Sequence, residues 1–205
     1  MLKLLKFRSF TDTKTSFGED VYTSLNISDA GYKSFCKNQY AGFYFSNSLQ
    51  LYSLRSVHTY DDIGSMNKKI NELYGNLAKN MLSFGQDVFG NQFMFGESSV
   101  YLFNIETAET EIIASSFGSF IDVILDDANY YSGESILVKW KLQNDIKLNE
   151  RLCPKKPFMV GGDYDVANLY SIDSCINLEY NSSIAHQTHN LSDGTAIRFN
   201  IKNKF

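Results

Sequence analysis

Between Ile63 and Leu77 the residues Ile63, Met66, Ile70, Leu73, Tyr74 and Leu77 recur at spacings of three and four, the period of an amphipathic helix. Short aromatic segments that suit strands lie on either side. Gly42-Phe43-Tyr44-Phe45 and Leu49–Leu54 flank the turn Ser46-Asn47-Ser48. Met81–Phe84, Gln92–Phe95, Val100–Ile105 and Glu111–Ala114 read as a meander broken by Gly, Asn and Ser turns. One strong helix among short strands, with short connections and no regular βαβ alternation, predicts an α+β fold with a mostly antiparallel, twisted sheet.

Cap residues place further helices. Ser28 is the expected N-cap of a helix running to Asn38, and Asp61 or Asp62 that of the helix beginning near Ile63. Ser115 or Ser116 opens a third, whose apolar face is Phe117, Phe120, Ile121, Ile124 and Leu125, and a fourth spans about Ser135–Leu142. About four helices should therefore flank the sheet. Pro154 and Pro157 bracket Lys155-Lys156, so residues 149–157 read as a loop. Beyond it the pattern is strand-like at Phe158–Val160, Val166–Tyr170, Ile176–Tyr180, Ile184–Thr188 and Thr195–Ile201. The expected organisation is an irregular arm over residues 1–27 with a short strand at Leu2–Phe7, an α+β core over 28–150, and a β-rich extension over 151–205 packed on the same domain.

The 205 residues are 43% hydrophobic, with 16 Phe and 13 Tyr, which is ample for a buried core. The net charge of −4, with no Lys/Arg run longer than Lys155-Lys156, argues against direct nucleic-acid binding and for a basic partner. Cys36, Cys153 and Cys175 form no Cys-x-x-Cys pair and read as reduced cytoplasmic thiols. No apolar run reaches the roughly 18 residues of a membrane span. The usual nucleotide-loop, nucleophile-elbow and zincin motifs are missing from the chain. His186 and His189, in a segment read as a strand, would point to opposite faces. No catalytic residue, cofactor or metal is expected.

Two segments carry a more specific pattern. One is Phe84-Gly85-Gln86-Asp87-Val88-Phe89-Gly90-Asn91-Gln92-Phe93, followed by Val100–Phe103 and Ala114-Ser115-Ser116-Phe117-Gly118-Ser119-Phe120-Ile121. The other is Pro157-Phe158-Met159-Val160-Gly161-Gly162-Asp163-Tyr164, with Asn168-Leu169-Tyr170, Ile184-Ala185-His186-Gln187 and Leu191–Thr195. The first resembles the core of the SUKH superfamily. The second resembles the C-terminal part of bacterial SUKH-type and related type VI secretion immunity proteins.

The resemblance implies a SUKH-like fold and a cytoplasmic immunity protein, not an enzyme, that binds and neutralises a cognate polymorphic or secreted toxin, a basic nuclease domain being one candidate. The alternatives are a regulatory protein-interaction scaffold of the same superfamily and a hydrolase built on His58, His186 or His189. Of the matched residues, Phe84, Asp87, Gly90, Asn91, Phe117, Gly161, Gly162 and Asn168 have a structural explanation in turns and core packing. Candidate partner contacts are the acids on turns: Asp126, Asp127 and Glu134 between the third and fourth helices, and Asp163 and Asp165 after the double glycine.

Overall fold

A computed structural model describes residues 19–38, 41–56, 58–192 and 194–199. In chain order the elements are α1 (Glu19–Ser24), α2 (Ala30–Lys37), β1 (Gly42–Tyr44), β2 (Leu49–Leu51), α3 (Ile63–Tyr74), β3 (Leu82–Gln86), β4 (Gln92–Phe95), β5 (Val100–Phe103) and β6 (Thr110–Ala114). After them come α4 (Phe117–Asp126), α5 (Ala128–Ser132), α6 (Glu134–Trp140), β7 (Glu150–Pro154), β8 (Leu169–Asp173) and α7 (Ser174–Thr188). β1 to β6 form one antiparallel meander in sequence order, and β7 pairs with β8 in a small second sheet. The fold is α+β, as the segment pattern predicts.

Both faces of the large sheet are covered. On one, Phe84 meets Phe95, Phe117 and Phe120 at ring-centroid distances of 4.5, 5.5 and 5.1 Å, and Tyr32 of α2 meets Phe117 at 4.9 Å. On the other, Tyr74 of α3 packs edge-on against Phe103 at 5.1 Å, while Asn67 bonds both the N–H and the C=O of Ser83 at 2.7 Å. This two-sided burial explains why β3 lacks a clean polar alternation. Asp29 links two helices, its carboxylate accepting from Tyr32 N at 2.8 Å and from Phe117 N at 3.0 Å. Asp62 caps α3 and Ser116 caps α4. The first cap is Asp29, one residue later than the expected Ser28.

The buried amides of Gln50, Gln86 and Gln92 lie in register across β2, β3 and β4. Their side chains approach at 2.8 Å (Gln50 to Gln86) and 3.3 Å (Gln86 to Gln92), and Gln92 Oε1 accepts from Tyr52 Oη and Ser83 Oγ at 2.9 and 2.8 Å. Arg151 of β7 enters this row. It donates to Gln50 Oε1, and with the Gln86 amide turned to face it the Gln86 oxygen accepts from Nη2 and Nε at 3.1 and 3.2 Å. The guanidinium also lies over Phe43 at 5.5 Å. Beside it, Leu152 N donates to Val88 O at 2.8 Å, which ties the C-terminal segment to the large sheet.

Several segments differ from expectation. Within the supposed irregular arm, residues 19–24 form α1, whose Tyr22 is buried in the core; the strand expected at Leu2–Phe7 lies outside the described residues. Seven α-helices are present among the described residues, three more than expected. Part of the loop expected over 149–157 is β7, where Pro154 ends a strand paired only to β8. Phe158–Val160 and Val166–Asn168 are single 3₁₀ turns. The strands expected at Ile176–Tyr180 and Ile184–Thr188 are one helix, α7, and residues 195–199 of the expected last strand have no strand pairing. The C-terminal part is thus a two-stranded sheet with a 15-residue helix, not a run of strands. Leu178 and Ala185 of α7 join the main core.

Candidate functional site

The turn between β3 and β4 is built around Asp87. Its Oδ1 accepts from Phe89 N and Asn91 N at 2.8 and 2.9 Å, and its Oδ2 from Asn91 Nδ2 at 2.9 Å. Gly90 sits at φ +92°, in the left-handed region that favours glycine, and a Cβ there would press on the Asn177 amide. That amide donates to Phe89 O at 2.7 Å, so α7 braces the turn. Asn91 Oδ1 reaches on to Ile105 N at 3.2 Å. Asp87, Gly90 and Asn91 together set the direction of the Phe89 side chain.

Residues 155–168 form the facing loop. Asn168 closes it: its Oδ1 accepts from Lys156 N at 2.9 Å, and its Nδ2 donates to Lys156 O and Asp163 O at 3.0 and 3.1 Å. Gly162 lies so close to Lys156 O that any Cβ would collide with it. The buried Glu106 carboxylate accepts from Phe158 N and Met159 N at 3.3 and 3.0 Å and pins the loop to the β5–β6 turn. Tyr164 then stacks on Phe158 at 3.9 Å with planes 5° apart, and both rings meet Phe89 edge-on.

Between this aromatic group, the β5–β6 hairpin and α5 lies a cleft of about 860 Å³. Its walls include Phe89, Leu102, Glu109, Glu111, Tyr130 and Tyr164, with Asp87 among the lining residues and His189 at one side. Tyr130 and Tyr164 are each 68% exposed, and Glu109 and Glu111 are exposed. No Lys or Arg lines the cleft among the described residues. Large rings open to water beside unneutralised carboxylates suit a cationic, partly apolar partner.

Of the acids singled out from sequence, Asp126 and Asp127 are exposed at the α4–α5 junction, and Asp127 caps α5 through Tyr130 N at 2.9 Å. Glu134 accepts from Ser46 Oγ at 2.9 Å. Asp163 and Asp165 flank Tyr164, and Asp165 Oδ1 accepts from Ala167 N at 2.9 Å. None of the five lines the cleft, although their sequence neighbours Asn129, Tyr130, Ser135 and Tyr164 do. Sequence reasoning missed Glu109, Glu111, Tyr130 and Tyr164. A usable signal lay in Glu109 and Glu111, whose spacing of two puts both on one face if the strand is extended by two residues.

The histidines lie apart. His58 stacks on Tyr60, His186 Nε2 lies 2.9 Å from Leu73 O, and His189 Nδ1 lies 3.3 Å from Thr107 O. The last two do not project from opposite faces of a strand: His186 is in α7 and His189 is its C-cap, so each ring meets a different backbone carbonyl. Burial pushes the Cys36 thiol up to about 12 and the Cys153 thiol up to about 11, far from a nucleophilic thiolate. Among the described residues no three His, Cys, Asp or Glu side chains converge as metal ligands, and no helix is long and apolar enough to cross a membrane.

Two buried acids make stability depend on pH. Burial pushes Asp61 up to about 6 and Asp87 up to about 7, against the lowering pull of their hydrogen bonds, and Asp61 Oδ2 has no partner that would favour a charge. Both values exceed the ordinary ~3.9 of an unfolded Asp, so the fold favours the protonated forms. Their contribution is fully present below about pH 4 and is lost as pH rises through 6 and 7. The melting temperature should fall by roughly 5 °C between pH 5 and pH 8. Calorimetry of the parent and Asp61→Asn proteins checks this, the variant giving a flatter profile; a parent profile that rises over this range contradicts it.

Residues 29–123 match the SMI1 / KNR4 family (SUKH-1). The fold is similar to that of Atu4351 from Agrobacterium tumefaciens, a crystal structure, with a TM-score of 0.61 and 16% identity over 88% of this chain and 86% of that one. No curated protein matches the chain.

Proposed function

We propose that the chain, whose residues 29–123 match the SMI1 / KNR4 family (SUKH-1), is a cytoplasmic immunity protein that binds a cognate protein toxin one to one and blocks it without catalysis. That match is consistent with an immunity or an interaction-scaffold role. The observation that carries the reading is the cleft, where Tyr130 and Tyr164 stand 68% exposed beside Glu109 and Glu111. Exposed aromatics held on a braced scaffold supply affinity, and uncompensated carboxylates speed the encounter with a basic partner.

Association kinetics with the cognate toxin test it. Glu109→Lys/Glu111→Lys should slow association by at least tenfold at 0.01 M salt, where the Debye length is about 30 Å, and much less at 0.15 M. Asp126→Lys and Asp163→Lys should give smaller effects, because these carboxylates sit beside the cleft. Asp127→Lys and Asp165→Lys also remove caps, so circular dichroism must accompany them. Unchanged association rates for the Glu109/Glu111 variant at both salt levels, with the fold intact, would remove the cleft from the interface.

A further inference from the structure

The large sheet has two edges, and they differ. The three residues of β1 are buried, and nearby Lys141 Nζ of the α6 end bonds Ser46 O at 2.5 Å. β6 is open: Thr110, Glu111 and Ile112 are exposed, Ile112 at 62%. Asn104 N donates to Glu109 O at 2.9 Å, which fixes the phase of the β5–β6 ladder. By the two-residue alternation of an antiparallel pair, Glu111 faces β5, while the N–H and C=O groups of Thr110 and Ile112 point outward. No described residue hydrogen-bonds to that outer edge. Nor does the sequence from Thr107 to Ser116 contain the Lys or Pro that commonly blunts an open edge.

The edge borders the cleft, since Thr110 and Glu111 line it. Glu111 pairs with Leu102, which places their side chains on the same sheet face, the face that forms a cleft wall. A strand added along β6 would therefore bring alternate side chains past Glu109 and Glu111 toward Tyr130. We propose that β6 receives an extended basic segment of the partner as a seventh strand, with backbone pairing at Thr110 and Ile112 and Lys or Arg side chains against the two glutamates. This mode of docking rests on the protein-binding reading above. The irregularity beyond Tyr101 limits the pairing run to Thr110–Ile112, so the side-chain contacts must supply the selectivity.

The test uses the full chain, with a synthetic nine-residue peptide alternating lysine and valine as probe and its glutamate counterpart as control. In the free protein the Thr110 and Ile112 amides should exchange with solvent at least tenfold faster than that of Glu111. Saturation with the lysine peptide at low salt should slow both at least tenfold, and the glutamate peptide should not. Ile112→Pro removes one outward donor at an edge position that tolerates proline, and should abolish the effect while the remaining amides keep their exchange rates. Ile112→Lys should weaken it at least tenfold. Protection of Thr110 and Ile112 in the free chain, through its own residues or a second copy, would overturn the proposal. So would peptide binding that leaves these amides unprotected or persists in Ile112→Pro. If edge variants bind the cognate effector normally while Tyr130→Ala/Tyr164→Ala does not, strand addition is wrong and the protein-binding reading stands.

Discussion

Arg151→Ala should lower the unfolding free energy by about 3 kcal/mol. Arg151 is buried, and burial holds its guanidinium down to about 10, so the charge itself opposes folding. Its removal relieves that cost. Against this, the glutamine oxygens of β2 and β3 lose their donors, at about 1–3 kcal/mol for each buried acceptor left unpaired, and the stem no longer covers Phe43. A cavity also opens between the large sheet and β7. The second group of effects is the larger. Urea unfolding should show the midpoint falling by roughly 1–2 M. Arg151→Met fills most of the space but donates nothing, and should lose about half as much. Equal stability of all three proteins would contradict the role given to the guanidinium.

The second large effect concerns binding. Tyr130→Ala/Tyr164→Ala should weaken binding to the cognate effector by about 100-fold, or about 2.7 kcal/mol, mainly through faster dissociation. The two rings are the most exposed aromatic surface beside the cleft, at 68% each, and neither supports the main core. Tyr164 is also ready-placed by its stack on Phe158 and by the Asn168 closure, so little ordering is needed on binding. The fold should be unaffected, with the melting temperature within a few degrees of the parent. Titration calorimetry of each single and the double variant measures the effect; an affinity within threefold of the parent would exclude the tyrosines as anchors.

Local chemistry made the first half of the chain legible. The α3 period, the caps Asp62 and Ser116, and the aromatic strands β3 to β5 all follow from spacing and turn residues. The C-terminal part was not legible in the same way, and α7 shows why. Its buried face includes Asn177, Asn181, Ser182 and Thr188, so the apolar period that marks a helix is masked by polar residues that hydrogen-bond inside the protein. What remained visible, Ile176, Leu178, Tyr180 and Ile184, mimics strand alternation. The N-cap Asp173, which accepts from Cys175 N and Ile176 N, was the available signal for a helix. β7 was hidden by Pro154, which a strand paired on one side tolerates at its end.

The cleft was less legible than the fold because its walls come from five separate stretches of chain. Turn chemistry identified Asp87, Gly90, Asn91, Gly161, Gly162 and Asn168, and in the structure these residues shape the two walls around Phe89 and Tyr164. The acids chosen from sequence were those on turns, yet Asp127 and Asp165 cap helices or 3₁₀ turns and Glu134 is engaged by Ser46. The cleft's own exposed carboxylates, Glu109 and Glu111, become neighbours of Tyr130 only through the tertiary packing of α5 beside β6.

The most direct measurement is a titration of the cognate effector's toxic activity with this chain, using purified effector. Stoichiometric blocking through the cleft predicts activity that falls linearly to zero at one equivalent, independent of incubation time, with Tyr130→Ala/Tyr164→Ala requiring a large excess. Progressive inactivation by a small fraction of an equivalent would mean turnover, and full activity at tenfold excess would mean that the effector is not its partner; either result contradicts the proposed function.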